Sequence, residues 1–472
     1  MAKRIRTSII PVEQHFVKVD GAPVLDKKAI CAFVATGFFL DNDTYWENVK
    51  TLRPGTINTI NDQGYLVKSE SWFKWHYSPR QISFDTTVKE FSALFDAINA
   101  EELKAEEVIL PLSGGLDSRS QAVSLNKLSQ SVTTFSYSFQ GGYKEAHIAK
   151  KVAQQANYKF HKFEITPGYL WDKIDYAAQT NKCYAEFTHC TQLRVQDKFT
   201  TMGTKFSLGH WGDVLFDKMT DKLLSTEEDL LSYLCAKLVK PTGMELAEDL
   251  WQSWGLEDDF ETYFTNRIKY LLNAIAIDNV NAKLRAFKSL YWAPRWTSVN
   301  LAFYSKMHPI SLPYYHDKIC EFICTVPEEY LADRRIQIAY IKQHAPKIAR
   351  VTWQDKRPFN LYTYKWSKFP YNLPYKVLNK LQREFNALRG KPYIQRNWEL
   401  QFLGTENRQR LNDYINNSNI AQFIEQEIID KYKEKFDEGN QKHTSHALSL
   451  LVTLAAFSKH FYKNYDNHIS NK

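Results

Sequence analysis

Val108-Ile109-Leu110-Pro111-Leu112 runs directly into Ser113-Gly114-Gly115-Leu116-Asp117-Ser118-Arg119. The first five residues are apolar and read as a short buried strand. Paired glycines then let the backbone turn tightly and approach a ligand with no Cβ in the way. Asp117 and Ser118 suit the first turn of a helix, predicted over 118–128. The free N–H groups of that turn and of the loop form an anion pocket. A helix dipole contributes up to ~2 kcal/mol towards an anion. That is too little for a polyphosphate, so the loop calls for a metal ion as well. No lysine is placed to reach terminal phosphates, which excludes the GxxxxGK[ST] nucleotide loop.

The pattern around the loop sets the fold class. Residues 132–139 read as a second strand, 145–156 as a helix and 159–164 as a third strand. Residues 205–208 form a fourth, ending at Gly209-His210-Trp211-Gly212-Asp213. Strands alternating with helices predict an α/β fold with a parallel sheet and right-handed crossovers. Ligands bind at the carboxyl ends of such strands, where both Gly-containing loops fall. A helix is expected over 84–103, where Phe91, Leu94, Phe95 and Ile98 recur at three and four. Residues 29–77 look β-rich, with a hairpin around Asn61-Asp62-Gln63-Gly64. From Leu223 onward the pattern is helical. Two units are therefore expected. Residues 1–84 form a small α+β domain, and 85–472 a larger one with its sheet in 105–220 and helices in 221–472. Residues 365–472 are expected to pack on the sheet and close the substrate pocket. The apolar run 447–457 reads as a buried helix.

At 472 residues the chain has length for two or three domains, and 44% hydrophobic residues suffice for a sizeable core. The net charge of +8 is scattered without a basic block, which argues against nucleic acid. Six cysteines in no CxxC or zinc-like spacing read as reduced, buried thiols. No signal-like run opens the chain and no stretch approaches a membrane span, so a cytoplasmic protein without membrane contact is expected. The oligomeric state stays open, a homodimer among the options.

SGGxDS matches the pyrophosphatase loop of enzymes that cut ATP between its α and β phosphates. With LPLSGGLDSR over 110–119, the chain resembles the asparagine synthetase family. Four further stretches follow in that family's order: Thr134–Tyr137 with 145–153, Leu208–Phe216, Leu312–Asp317 through Pro327, and Lys356–Phe359. The resemblance implies an adenine nucleotide α-hydrolase-like (PP-loop) synthetase domain. It follows the last part of an N-terminal-nucleophile glutaminase domain, for which residues 32–75 would be the remnant. That domain needs a cysteine at the mature N-terminus. Here Ala2 follows Met1, and the first cysteine, Cys31, lies in an apolar run and reads as core. The chain is therefore not expected to hydrolyse glutamine itself.

The resemblance also assigns roles. Leu112, Ser113, Gly114, Gly115, Asp117, Ser118, Arg119 and Gly209 would bind ATP, with Ser113, Ser118 and Arg119 bonding phosphate oxygens. Phe135 and Ser136 would read the adenine from strand backbone. Asp117 and Asp213 would share Mg²⁺. His210 stands where the family has a catalytic glutamate and can shuttle a proton. The family's helical half also carries a lysine that stabilises acyl transfer; here Arg334 or Arg335 would supply the cation, with Arg335 favoured. An arginine cannot lend a proton. Ser311 falls where the family has an arginine, which argues against aspartate as substrate.

The expected activity is an AMP-forming amide ligase. It takes ATP, Mg²⁺, a small-molecule carboxylate and an amine donor, ammonia or another amine. The alternative is a catalytically degenerate ATP-binding partner protein. A tRNA-modifying enzyme with the same loop would need a basic RNA-facing surface or catalytic cysteines, and neither is visible.

Overall fold

The computed structural model describes residues 2–142, 146–187, 190–390, 399–439 and 441–463. The expected start of the second crossover helix at Glu145, and parts of 365–472, lie outside them.

Five strands make the central sheet in the order β10-β9-β6-β7-β8, all parallel. They are β6 (Val108–Pro111), β7 (Val132–Phe139), β8 (Lys159–Ile165), β9 (Lys205–Ser207) and β10 (Ile310–Ser311). Val108, Ile109 and Leu110 of the central β6 are fully buried. Strands covered on both faces read as continuous apolar runs rather than alternating ones. The helices α2 (Phe84–Glu102), α3 (Asp117–Lys127) and α4 (Ala146–Gln155) alternate with β6 and β7 as the periodicity predicts. Ser83 caps α2, its hydroxyl accepting from the amide of Thr86 at 3.1 Å. The two-residue β10 was not foreseen; it follows some ninety residues of helix and exists only through pairing with β9.

The N-terminal strands β1 (Lys3–Arg6), β4 (Thr56–Ile60) and β5 (Leu66–Ser71) form an antiparallel sheet in the order β1-β4-β5. A second ribbon pairs β2 (Phe16–Lys18) with β3 (Val49–Thr51). The β4–β5 hairpin is as predicted, whereas β1 and β2 carried no turn signal and were missed. Helix α1 (Lys27–Thr36) holds Cys31 fully buried, and burial pushes its thiol well up. A nucleophile needs the reverse, so Cys31 is a packing residue.

The main apolar core runs from Ile9 to Phe461, and Val17, Leu52 and Ile60 form a small second cluster. The ring of Tyr45 stacks on Phe457 with centroids 3.8 Å apart, and its hydroxyl donates to the carbonyl of Cys183 at 2.6 Å. Arg295, 2% exposed, donates to Thr51 Oγ1 at 3.0 Å and also reaches Gln14 and the carbonyl of Asp43. The helix Gln441–His460 is buried through Ala447–Phe457 on all sides, as an all-round apolar helix must be. Among the described residues no helix is long and apolar enough to cross a membrane.

Candidate active site

The carboxyl ends of β6 and β9 open into a cavity of about 560 Å³. Ser113, Gly115, Asp117 and Ser118 line it from the first loop, and Gly209, His210, Trp211 and Asp213 from the second. The two loops approach closely because two positions lack a side chain. A Cβ on Gly212 would lie 2.2 Å from Asp117 Oδ1, and one on Gly209 would lie 2.9 Å from the amide of Ser118. Trp211 adopts φ +78° to make that turn, and its indole donates to Ser289 Oγ at 3.1 Å. It walls the pocket while packing.

Asp117 anchors a buried polar cluster. Arg334 pairs with its Oδ1, and Gln337 Nε2 donates to the same oxygen at 2.9 Å. Gln337 also donates to Tyr314 Oη at 2.8 Å and accepts from Arg334 Nε at 2.7 Å. Burial raises the Asp117 carboxyl to about 6; Arg334 pulls it down, and the nearby Asp213 adds to the rise. Asp333 and Arg334 take φ of +57° and +60°. Left-handed backbone at two consecutive non-glycine residues costs on the order of 1–3 kcal/mol each and clusters at functional sites.

That backbone decides between the two arginines. Arg334 enters the cavity, its side chain 6% exposed. Arg335 turns outward, donating to the carbonyl of Glu329 at 2.8 Å and lying over the Phe84 ring at 4.6 Å. The expectation that Arg335 supplies the cation is corrected: the group beside Asp117 is Arg334.

Three more assignments change. Arg119 is fully buried and faces away from the cavity. It donates to the carbonyls of Val351 (3.0 Å), Gly114 (3.0 Å) and Thr352 (2.8 Å). It clamps the loop from behind, with both terminal nitrogens engaged by those carbonyls. Phe135 is fully buried among Phe163 and Phe199, and its carbonyl already accepts from the Leu112 amide at 2.8 Å. Neither Phe135 nor Ser136 lines the cavity. Leu112, 2% exposed, lies beneath the loop as support.

Two of the loop's amides are satisfied from within it. Ser118 Oγ accepts from the Ser113 amide at 3.1 Å, and Ser113 Oγ from the Gly115 amide at 3.1 Å. The Gly114 amide donates to Gln354 Oε1 at 3.0 Å, while the Gln354 amide donates back to Gly114 O at 3.1 Å. A phosphate at Gly114 has to displace the Gln354 side chain.

Sequence reasoning missed the opposite wall. Lys288–Thr297 is a π-helix with Pro294 inside it, a rare geometry frequent at functional sites. It presents Lys288, Trp292, Trp296 and Thr297 to the cavity, joined by Tyr304. Burial lowers the Lys288 ammonium and Asp213 opposes the shift. Pro294 inside a helical run, with two tryptophans four apart, was the signal available. Ser311 is 1% exposed, donates to Glu102 Oε2 at 2.5 Å, and lies off this cavity.

Residues 92–188 match the family model described as asparagine synthase. Over 131 residues the chain is 31% identical to asparagine synthetase [glutamine-hydrolyzing] 1 of Bacillus subtilis (strain 168). That match covers 27% of this chain and 21% of the relative, about a fifth of its length. The family match holds the first loop, Asp117 and Arg119 but ends before His210, Asp213, Lys288 and Arg334. Among solved structures, NMN synthetase from Francisella tularensis is 14% identical with a TM-score of 0.23, covering 44% of this chain and 92% of that one; at that score the likeness carries no weight.

Proposed function

We propose that this chain, whose residues 92–188 belong to the asparagine synthase family, is an ATP-dependent amide ligase that activates a carboxylate as an acyl-adenylate. One observation carries the reading. The SGGLDS loop, three carboxylates (Asp117, Asp213 and Asp355), two cations and a histidine converge on one cavity at the carboxyl ends of β6 and β9. A carboxylate oxygen attacks the α-phosphorus, and the bond from that phosphorus to the bridging oxygen breaks. Pyrophosphate leaves into the loop, where Gly115, Ser113 and Ser118 receive it. An amine then attacks the acyl carbon, AMP leaves with the oxygen that bridged them, and the amine's proton passes to His210.

Arg334 is set to offset charge on the phosphates. Lys288, its ammonium lowered by burial, takes the place of the lysine that the arginines cannot replace, because it can give up a proton. Among the described residues no three His, Cys, Asp or Glu side chains gather as a metal site. Asp117 and Asp213 still fit Mg²⁺, which binds few protein carboxylates and completes its shell with phosphate oxygens and water. When bound, it would neutralise the departing pyrophosphate. The wall of Trp211, Trp292, Trp296 and Tyr304 suits a carboxylate with an apolar or aromatic body. The amine is ammonia or another free amine, since the buried Cys31 supports no glutamine hydrolysis by this chain.

The test is exchange of labelled pyrophosphate into ATP with Mg²⁺ and a panel of aromatic and aliphatic carboxylates. Exchange that depends on one carboxylate is expected. ATP binding without exchange or pyrophosphate release for any candidate overturns the ligase reading. It leaves a catalytically degenerate nucleotide-binding partner, the reading favoured by Gln354 sitting on the Gly114 amide.

A further inference from the structure

The helix Leu373–Leu388 is built inside out. None of its residues is buried. Leu373, Val377, Leu378, Leu381, Phe385 and Leu388 fall on one face and are 46, 46, 66, 57, 52 and 87% exposed. Together they offer on the order of 600 Å² of apolar surface, the size at which an exposed patch marks an interaction site. The opposite, polar face turns to the body, where Lys376 and Arg383 line a cavity of about 600 Å³ with Gln354 and Arg357, while Lys380 stands at its edge with a side chain 70% exposed. A helix of this length is marginal in water by itself, so its apolar stripe is expected to be covered.

The surrounding chemistry selects the cover. Between residues 365 and 390 stand Lys365, Lys368, Lys376, Lys380, Arg383 and Arg389 against a single acid, Glu384. At 100° per residue, Lys380 and Arg389 lie about 90° to either side of the stripe's centre, where long cationic side chains reach headgroups. The Arg389 guanidinium lies 4.1 Å over the Phe385 ring. Just before the helix, Trp366, Phe369 and Tyr371 are 57, 76 and 60% exposed. An apolar stripe edged by cations and preceded by exposed aromatics is the pattern of a helix lying in a bilayer interface. A second copy packed on the same face would set like charges together.

We infer that this helix docks the protein on an anionic lipid surface, its apolar stripe dipping into the interface and its flanking cations meeting lipid phosphates. The helix is remote in role from the ligase chemistry and stands whether or not that reading does.

The test floats the full chain with vesicles of phosphatidylcholine alone and of phosphatidylcholine mixed with phosphatidylglycerol. Flotation with the anionic vesicles only, weakened by salt, is expected. Leu381→Asn is expected to weaken binding roughly tenfold, and Lys380→Ala or Arg389→Ala about fivefold each. Leu381 is exposed, so its loss leaves the fold intact, checked by far-UV circular dichroism. No flotation with either vesicle, or equal flotation of wild type and Leu381→Asn, overturns the proposal. A dimer abolished by Leu381→Asn, without vesicle binding, overturns it in favour of a second copy.

Discussion

Arg334→Met and Asp117→Asn, made singly and together, probe the pair at the centre of the site. Arg334 is 6% and Asp117 21% exposed at the side chain, so water screens the pair only in part. Removing one partner of a fully buried pair costs about 3–5 kcal/mol. With Asp117 open to the cavity, a cost of about 2–3 kcal/mol is expected for Arg334→Met, which strands the carboxylate, and about 1 kcal/mol for Asp117→Asn. Two further facts set the limits. Burial already raises Asp117 above its ordinary range, so its carboxylate is held at a cost that Asn relieves. Gln337 Nε2, 2.9 Å from Oδ1, can still serve the Asn oxygen. The double variant should therefore lose little more than Asp117→Asn alone, giving a coupling of about 2 kcal/mol. Urea unfolding of the four proteins measures it. Set against the 5–15 kcal/mol of a typical domain, every variant stays folded. Pyrophosphate release should nonetheless vanish in Asp117→Asn. A coupling below about 0.5 kcal/mol, the range of an exposed pair, or full pyrophosphate release by Asp117→Asn refutes the reasoning.

Other predictions follow from neighbouring contacts. Gln354→Ala frees the Gly114 amide and should tighten Mg-ATP binding about fivefold, the worth of one net hydrogen bond; calorimetry showing unchanged or weaker binding contradicts this. Arg335→Ala should leave pyrophosphate release within about twofold, whereas loss of release would return the catalytic cation to that residue. Because Asp117 is raised to about 6 from 3.8, the native chain holds its proton more tightly than the unfolded one. Stability from this group is present below pH 4 and is lost as pH rises through about 6. Mg-ATP affinity should move the other way, rising through pH 6, with that step absent in Asp117→Asn; calorimetry across pH 4.5 to 7.5 on both proteins, about 1.5 units either side of the shifted value, would detect a flat profile.

The crossovers from β6 to β8 were legible because their signals are local. An apolar run, a glycine turn and a three-and-four spacing each declare themselves within about a dozen residues. Asp117, Asp213 and His210 were legible for the same reason, since each follows the end of a strand, and neighbouring parallel strands put their loops side by side. Arg334 and Arg335 were not separable. They are adjacent and identical in chemistry, and only left-handed backbone at 333 and 334 sends one inward and the other to Phe84. Arg119 misled because its neighbours Asp117 and Ser118 do face the cavity; one helical step turns it to the carbonyls of Val351 and Thr352.

The amino-acid order alone thus determined four of the five strands of the sheet, the glycine turn after β6 and the acids beside it, because periodicity and turn chemistry act over a few neighbouring residues. The folded arrangement decided which cation meets Asp117, that Lys288 and a tryptophan wall complete the pocket, and that Gln354 covers Gly114. Those contacts join residues up to 240 positions apart, and their geometry is set by packing that no local pattern encodes.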